Sequence, residues 1–420
     1  RNGFKILKLE IRHLWGIKKG QKMKEFMSYE TSLEILRLTL APWDRVEKVT
    51  LTQALDRRIA VDIAAQDNYP ARPVSAMDGY AFAWQEGLSE LELITDLPAG
   101  SDKGLKVEGV KCVKTFTGSL MSDGADTLIP VENVEVSDGK ILIKKPVPKG
   151  FAVREVGESY KKGEILIKKG TTIGYAETAL LAELGIFNVS VFVRPRVAVL
   201  ATGSEIKDLG EPLENAAQIH SSNHVGIAAM VRKMGGEPVL CEIVRDRAEL
   251  VKDAIVRALK SADVLVTTGG ISMGDYDFVK GALGENFDII IDGAAIKPGR
   301  HIKVAKAGEK YIFALPGFPY SAMVMCVLYV RVLLNAWFGA SEPKITAIMD
   351  EDYKKRSPFL EFTAVNLVNL GGKIYVNLDG KKLGSSAIVN NLTGGAALLI
   401  IPKETEFIAK GEMVEVLKMV

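Results

Sequence analysis

The spacing of apolar positions changes period several times along the chain, and each change marks a structural regime. Leu33, Leu36 and Leu40 lie at helical spacing behind Ser32, which predicts a first helix capped by that serine. Residues 47–51 read as a strand, 51–55 as a helical turn and 59–64 as extended chain. Residues 81–152 are short strands broken by Gly, Pro and Asp, the pattern of a small β-rich domain. A helix is predicted over 176–184, closed by Gly185, and a strand over 189–193. Strands at 197–200, 239–244, 264–266, 289–291, 302–305 and 311–315 then alternate with helices at 223–234, 250–259 and from Pro319 onward. Residues 340–420 return to short strands, with Gly371-Gly372, Asp379-Gly380 and Gly394-Gly395 as turn signals.

These regimes predict a multidomain α/β and β fold. Its centre is a doubly wound, mostly parallel α/β domain over 196–339. A β-rich domain, 70–152, is inserted into a discontinuous linker domain made of 27–69 and 153–195. A C-terminal β domain covers 340–420. Residues 1–26 read as a basic leader outside the fold, with Met23 and Met27 both resembling natural starts.

Composition narrows the functions on offer. The leader holds eight Lys and Arg against two Glu, leaving the body 46 of the 54 basic and 50 of the 52 acidic residues. A slightly acidic body does not suggest a nucleic-acid surface. No segment reads as a membrane span, because the most apolar stretch, 322–338, carries Arg331 at its middle and reads as a buried helix. Cys112, Cys241 and Cys326 are widely spaced, as expected of unpaired thiols in a reducing cytoplasm. The four histidines show no zinc spacing.

The stretch richest in chemistry is 262–278, ADVLVTTGGISMGDYDF. A short β-branched strand runs into Gly269-Gly270, then Ser272, Gly274 and the carboxylates Asp275 and Asp277, with a helix resuming at Phe278. Unpaired N–H groups at such a helix start favour a phosphate, and glycine lets it approach the backbone. Carboxylates beside an anion site imply Mg²⁺ between them. The alternative is a strand-to-helix turn with solvated acids.

Position along the sheet separates these readings. In parallel α/β sheets ligands bind beyond the carboxyl ends of the strands. Glu205, Asp246, Gly269, Gly270 and Asp277 all follow predicted strand ends, so one crevice can collect them. Lys297-Pro298-Gly299-Arg300 and Leu315-Pro316-Gly317-Phe318-Pro319 add cations and rigid turns at the same edge, as oxyanion ligands or as surface charge. Neither a P-loop nor a dinucleotide fingerprint occurs. Asp78-Gly79, Thr117-Gly118 and Gly384-Ser385-Ser386 taken alone are turns and loops.

Taken together, these motifs resemble the molybdopterin molybdenumtransferases, whose animal counterpart is the carboxyl-terminal part of gephyrin. The resemblance runs from about Ser28 onward. It rests on Pro73-Val74-Ser75-Ala76-Met77-Asp78-Gly79-Tyr80, Thr117-Gly118, Ala201-Thr202-Gly203-Ser204-Glu205, the run from Thr268 to Asp277, Ile296-Lys297-Pro298-Gly299 and Leu315-Pro316-Gly317-Phe318-Pro319. It implies insertion of molybdate, or of the similarly sized tungstate, into adenylylated molybdopterin with Mg²⁺-dependent release of AMP. It implies a cytoplasmic homodimer with the cleft between subunits, and a transient contact with the molybdopterin adenylyltransferase.

The resemblance also assigns roles. Glu205, Asp246 and Asp277 would hold Mg²⁺ and act in catalysis, with Asp78 and Thr117 reaching in from the partner subunit. Thr202, Gly203, Gly269, Gly270, Ser272, Gly274, Lys297, Arg300, Pro316, Pro319 and Ser385 would bind substrate. One departure stands out: Ser159 follows Gly157-Glu158 where the family commonly has an acid. Two other readings compete. An adenylyltransferase would carry Thr-Gly-Gly-Thr-Gly where this chain has Ile271-Ser272 after the glycines, and a receptor-clustering scaffold would not need three acids in one crevice.

Overall fold

The computed structural model describes residues 26–270, 287–341 and 344–420, and among them the chain gathers into two compact units. One unit takes the described chain to Val49, Asp56–Ala60 and Ser190–Val420; the other takes Thr50–Leu55 and Val61–Val189.

The first unit is built on one sheet. Its strands are Arg196–Thr202 (β1), Glu237–Val244 (β2), Val264–Thr268 (β3), Asp288–Asp292 (β4), Lys303–Ala307 (β5) and Lys310–Leu315 (β6). They lie in the order β2-β1-β3-β6-β5-β4. The first four in that order run parallel, and β5 and β4 continue antiparallel. β3 is buried throughout, as a central strand covered on both faces must be.

Period-two alternation sorts the central strands between two cores. Val197, Val199, Val264 and Val266 face one layer, where they meet Leu33 and Leu36 of Tyr29–Leu38 (α1), Ile227 and Val231 of Asn223–Lys233 (α2), and the long helix Pro319–Phe338 (α4). Ala198, Leu200 and Leu265 face the other, packing on Val251 and Ile255 of Ala248–Ser261 (α3). Residues 29–38, expected in the discontinuous linker domain, are therefore part of this core.

Two expectations about helices resolve differently. α1 is capped by Ser28, whose Oγ accepts from the Thr31 amide at 3.1 Å. Ser32 sits inside the helix, where its buried hydroxyl donates to the Tyr29 carbonyl and pairs with Tyr329 Oη. A serine one turn inside a helix serves its own i−3 carbonyl and no longer caps. α4 is long and apolar enough to cross a membrane, yet 83% of its apolar window is buried inside the protein. Arg331 is accommodated there by donating to the carbonyls of Lys418 and Met419.

A second sheet in the same unit closes on itself. Leu360–Leu370 pairs with Lys373–Asn377 on one side and Ala397–Ile401 on the other, and Ile345–Met349 and Met413–Lys418 complete the ring. The barrel is filled by Met349, Val365, Val376, Leu399 and Val416. Ile296–Lys297, from the α/β part of the chain, joins its wall parallel to Leu360–Leu370, with Lys297 opposite Glu361.

The other unit carries a six-stranded sheet in the order Thr127–Pro130, Gly79–Phe82, Lys111–Thr115, Glu90–Leu97, Lys140–Ile143, Val134–Ser137. Tyr80, Phe82, Leu91, Cys112, Ile129 and Ile141 form its core. Gly79 is required there, because a Cβ would stand 2.2 Å from the Ile129 carbonyl oxygen.

Candidate functional site

The carboxyl ends of β1, β2, β3 and β6 open into one cleft of about 550 Å³. Each strand contributes residues at or just past its end: Thr202, the last residue of β1, with Gly203 and Glu205 after it, Asp246 after β2, Gly269 and Gly270 after β3, and Pro316 and Gly317 after β6. Pro319 begins α4 on the same rim, and Arg300 lies on the facing wall.

The glycines here are dictated by contact. Gly269 has φ +92°, and a Cβ on it would lie 2.6 Å from the Thr202 carbonyl oxygen and 2.8 Å from Thr202 Oγ1. Its amide donates to the Leu315 carbonyl at 3.2 Å, which ties the β3 turn to the end of β6. Gly317 closes the approach, with its Cβ position 3.5 Å from the Gly269 Cα. The floor of the cleft is thus bare backbone, where a bulky anion can come close.

Two carboxylates stand at one end. Ser204 and Asp246 bind each other reciprocally: the Ser204 amide donates to Asp246 Oδ2 at 3.2 Å and the Asp246 amide to Ser204 Oγ at 3.3 Å. Burial pushes the Asp246 carboxyl above its ordinary range, the Ser204 amide opposes that, and the neighbouring Glu205 charge adds to it. A half-desolvated carboxylate beside a second one is a place where a cation is electrostatically favoured. Among the described residues no three His, Cys, Asp or Glu side chains converge on one point. Two protein oxygens suit Mg²⁺, which commonly takes one or two carboxylates and completes its shell with phosphate and water.

Lys297 and Ser385 belong to a neighbouring, smaller cavity of about 60 Å³, together with Arg356 and Lys382. Lys297 Nζ faces Glu361 Oε2 at 3.5 Å, and Glu361, itself buried, accepts from Tyr353 Oη at 2.7 Å and Thr363 Oγ1 at 3.0 Å. Lys297 and Arg300 are therefore separated, since Arg300 lies on the larger cleft, stacked near the rings of Phe26 and Phe359. Ser386 lines both cavities.

The chain aligns with three consecutive families: "MoeA N-terminal region (domain I and II)" over residues 27–185, "Probable molybdopterin binding domain" over 198–336, and "MoeA C-terminal region (domain IV)" over 346–419. A molybdopterin molybdenumtransferase of Bacillus subtilis (strain 168) is 30% identical to it over 387 residues, 88% of this chain and 89% of that one. The chain belongs to the molybdopterin molybdenumtransferases. A second family member, from Nostoc sp. (strain PCC 7120), is 29% identical over 89% of this chain and 88% of its own. The molybdopterin biosynthesis MoeA protein of Pyrococcus horikoshii OT3 superposes with a TM-score of 0.80 at 29% identity, covering 94% of this chain and all of that one.

Within this family fold, the remaining site residues fall as follows. Asp78 and Thr117 meet on an exposed edge of the second unit, where the Thr117 amide and hydroxyl donate to Asp78 Oδ1 at 2.8 and 2.9 Å. Those bonds hold the Asp78 carboxyl below its usual range, the amide contributing most. Asp277, Ser272 and Gly274 lie outside the described residues. Arg154 donates both to Glu158 Oε1 at 2.8 Å and to Ser159 Oγ at 2.7 Å, so Glu158 is engaged within its own loop.

Ser221 and Asn223 also line the cleft and were not singled out from sequence, as does Thr268, which opens the Thr268–Asp277 run but was given no role. Asn223 Nδ2 donates to the Gly317 carbonyl at 2.7 Å, leaving Oδ1 without a partner among the described residues. The Ser-Ser-Asn run before α2 was the available signal, but it reads first as a helix cap.

Proposed function

We propose that the cleft takes up adenylylated molybdopterin and that the enzyme inserts molybdate or tungstate into it with release of AMP, as a step of molybdenum cofactor biosynthesis. The observation that carries this reading is the meeting of bare backbone at Gly269-Gly270 with the Glu205–Asp246 pair at the ends of four parallel strands.

The roles follow from the donors available. The Gly269-Gly270 turn, with Ser272 and Gly274, lets the phosphoanhydride lie against the backbone. Thr202, Gly203, Pro316 and Pro319 shape the walls, and Arg300 offers a fixed guanidinium on the rim. Glu205 and Asp246, with Asp277, would hold Mg²⁺, which would supply positive charge to neutralise the phosphates. Lys297 and Ser385 receive the oxyanion in the neighbouring cavity, where Arg356 and Lys382 add positive charge. The dithiolene sulfurs belong to the substrate, so no cysteine is needed. Cys112 and Cys326 agree with that, as buried thiols each pushed up to about 12.

The working unit in this reading is a cytoplasmic homodimer in which Asp78 and Thr117 of one subunit serve the cleft of the other. The adenylyltransferase delivers its product through a transient contact. The test is AMP release from adenylylated molybdopterin with Mg²⁺ and either molybdate or tungstate. Oxyanion-dependent release is the expected result, and the faster oxyanion names the metal. Formation of the adenylylated compound from molybdopterin and ATP, with no oxyanion-dependent release, would replace the reading with the adenylyltransferase.

A further inference from the structure

At the start of α2, three side chains lead away from the wall of the cleft. Ser221 Oγ lies 2.7 Å from His224 Nδ1, and His224 Nε2 faces Asp208 Oδ1 at 3.4 Å. Ser221 and His224 are 6% and 5% exposed, whereas Asp208 stands at the surface. The chain thus runs from a cleft-lining hydroxyl, through a buried imidazole, to a solvated carboxylate.

Local structure fixes this order. Ile206–Lys207 and Ile219–His220 form a short parallel ladder, in which the Ile219 amide donates to the Glu205 carbonyl at 3.0 Å and the Ser221 amide to the Lys207 carbonyl at 2.9 Å. Ser221 is therefore held two residues from the partner of Glu205. α2 then turns the chain so that residue 224 comes back over residue 221. The neighbouring charges are otherwise engaged: Lys207 pairs with Glu214, Glu211 accepts from the Asp208 amide, and His220 meets the Glu211 carbonyl.

Proton placement follows. The Asp208 carboxylate can only accept, so it favours the tautomer with the proton on Nε2. Nδ1 then accepts from Ser221, and the free lone pairs of Ser221 Oγ are left for a ligand. The residues lining the same cleft carry two further polar atoms without partners among the described residues, Asn223 Oδ1 and Thr268 Oγ1, both on residues at least nine-tenths buried. A wall with buried acceptors unfilled is one that a donor-bearing ligand or water completes.

We infer that Ser221, His224 and Asp208 form a proton relay that accepts the proton of the water attacking the phosphoanhydride. This rests on the AMP-releasing reaction proposed above. The water oxygen bonds to phosphorus as the bridging P–O bond breaks, its electron pair leaving on the departing phosphate oxygen. The water proton passes to Ser221 Oγ, and the hydroxyl proton of Ser221 passes to His224 Nδ1. The imidazolium faces the Asp208 carboxylate until it returns its proton to solvent. Ser221 is the catalytic residue of this relay; His224 and Asp208 are positioning residues that act through it.

The test is single-turnover AMP release by the full chain, with Mg²⁺ and molybdate, in Ser221→Ala, Ser221→Thr, His224→Gln and Asp208→Asn. The expected result is a fall of about 10²-fold in the rate for Ser221→Ala and His224→Gln, with KM held within about twofold. Asp208→Asn, at a surface position, loses less, and Ser221→Thr recovers most of the rate because it restores the hydroxyl. AMP binding measured by calorimetry verifies that each variant keeps its fold. Wild-type rates in both His224→Gln and Ser221→Ala, or a rise in KM alone, would overturn the relay and leave the serine and histidine as a structural side-chain pair. No AMP release from the wild-type chain overturns the reaction itself, and the relay falls with it.

Discussion

Asp246 illustrates how one side chain can trade stability against chemistry. Its carboxylate is partly desolvated and sits beside Glu205, so its ionised form is disfavoured in the folded protein. For an acid whose folded value is raised, the penalty is absent below the ordinary carboxylate range, grows as pH rises through it, and is complete above the raised value. Asp246→Asn should therefore melt higher than the wild type at neutral pH, with the difference vanishing in acid, while AMP release falls at least about 10²-fold. Scanning calorimetry across pH, together with the turnover assay, would check both halves; a lower melting temperature at neutral pH would mean that the charge is stabilising. At this scale the sequence was informative where chemistry and position coincide. Glu205, Asp246 and Gly269 follow strand ends, and their meeting could be read from that alone. Ser221 and His224 were not, because a serine three residues before a histidine carries no signal until a helix brings them together. The separation of Lys297 from Arg300 was hidden for a similar reason, since three residues of sequence here span the boundary between two cavities.

Among the elements, β1, β3 and β6 of the central sheet were readable because both their faces are buried, so they appear as largely apolar runs. Their ends were less so: β1 extends to Thr202 and β3 to Thr268, since the ladder continues into polar residues whose side chains are buried at the floor of the cleft. The closed C-terminal barrel was legible only as short strands, because the pairing of Leu360–Leu370 with Ala397–Ile401 is long-range and no local spacing encodes it. The graft of Ile296–Lys297 onto that barrel is invisible in sequence for the same reason. It makes Glu361 the anchor of the lysine. Glu361→Ala should cost about 1–3 kcal/mol, because it removes the buried acceptor of Tyr353 Oη and Thr363 Oγ1, and it frees the half-exposed Lys297. Denaturant unfolding reads the stability, and the oxyanion concentration for half-maximal AMP release should rise with it. A stable variant with unaltered oxyanion dependence would separate Lys297 from oxyanion binding.

The proposal for the whole molecule concerns two copies. If Asp78 of one subunit serves the cleft of the other, an Asp78→Asn homodimer and an Asp246→Asn homodimer are each inactive for different reasons. Unfolding and refolding them together gives mixed dimers with one intact cleft in two. Roughly a quarter of wild-type AMP release should return at equal proportions. No recovery, despite mixed dimers seen by native mass spectrometry, would place Asp78 in its own subunit's chemistry, and an active Asp78→Asn homodimer would place it outside the chemistry altogether.

The parallel strand Ile296–Lys297 has one more consequence, in time rather than space. Its partner Leu360–Leu370 is synthesised more than sixty residues later, and Ala397–Ile401, which closes the ring, about a hundred residues later. During translation the central sheet can therefore form, with Gly269 already tied to the end of β6, while the lysine beside it still lacks a wall. The nascent enzyme acquires the cleft lined by Gly269 and Gly270 first and the cavity around Lys297 last. A chain stalled before the barrel emerges would carry the former without the latter.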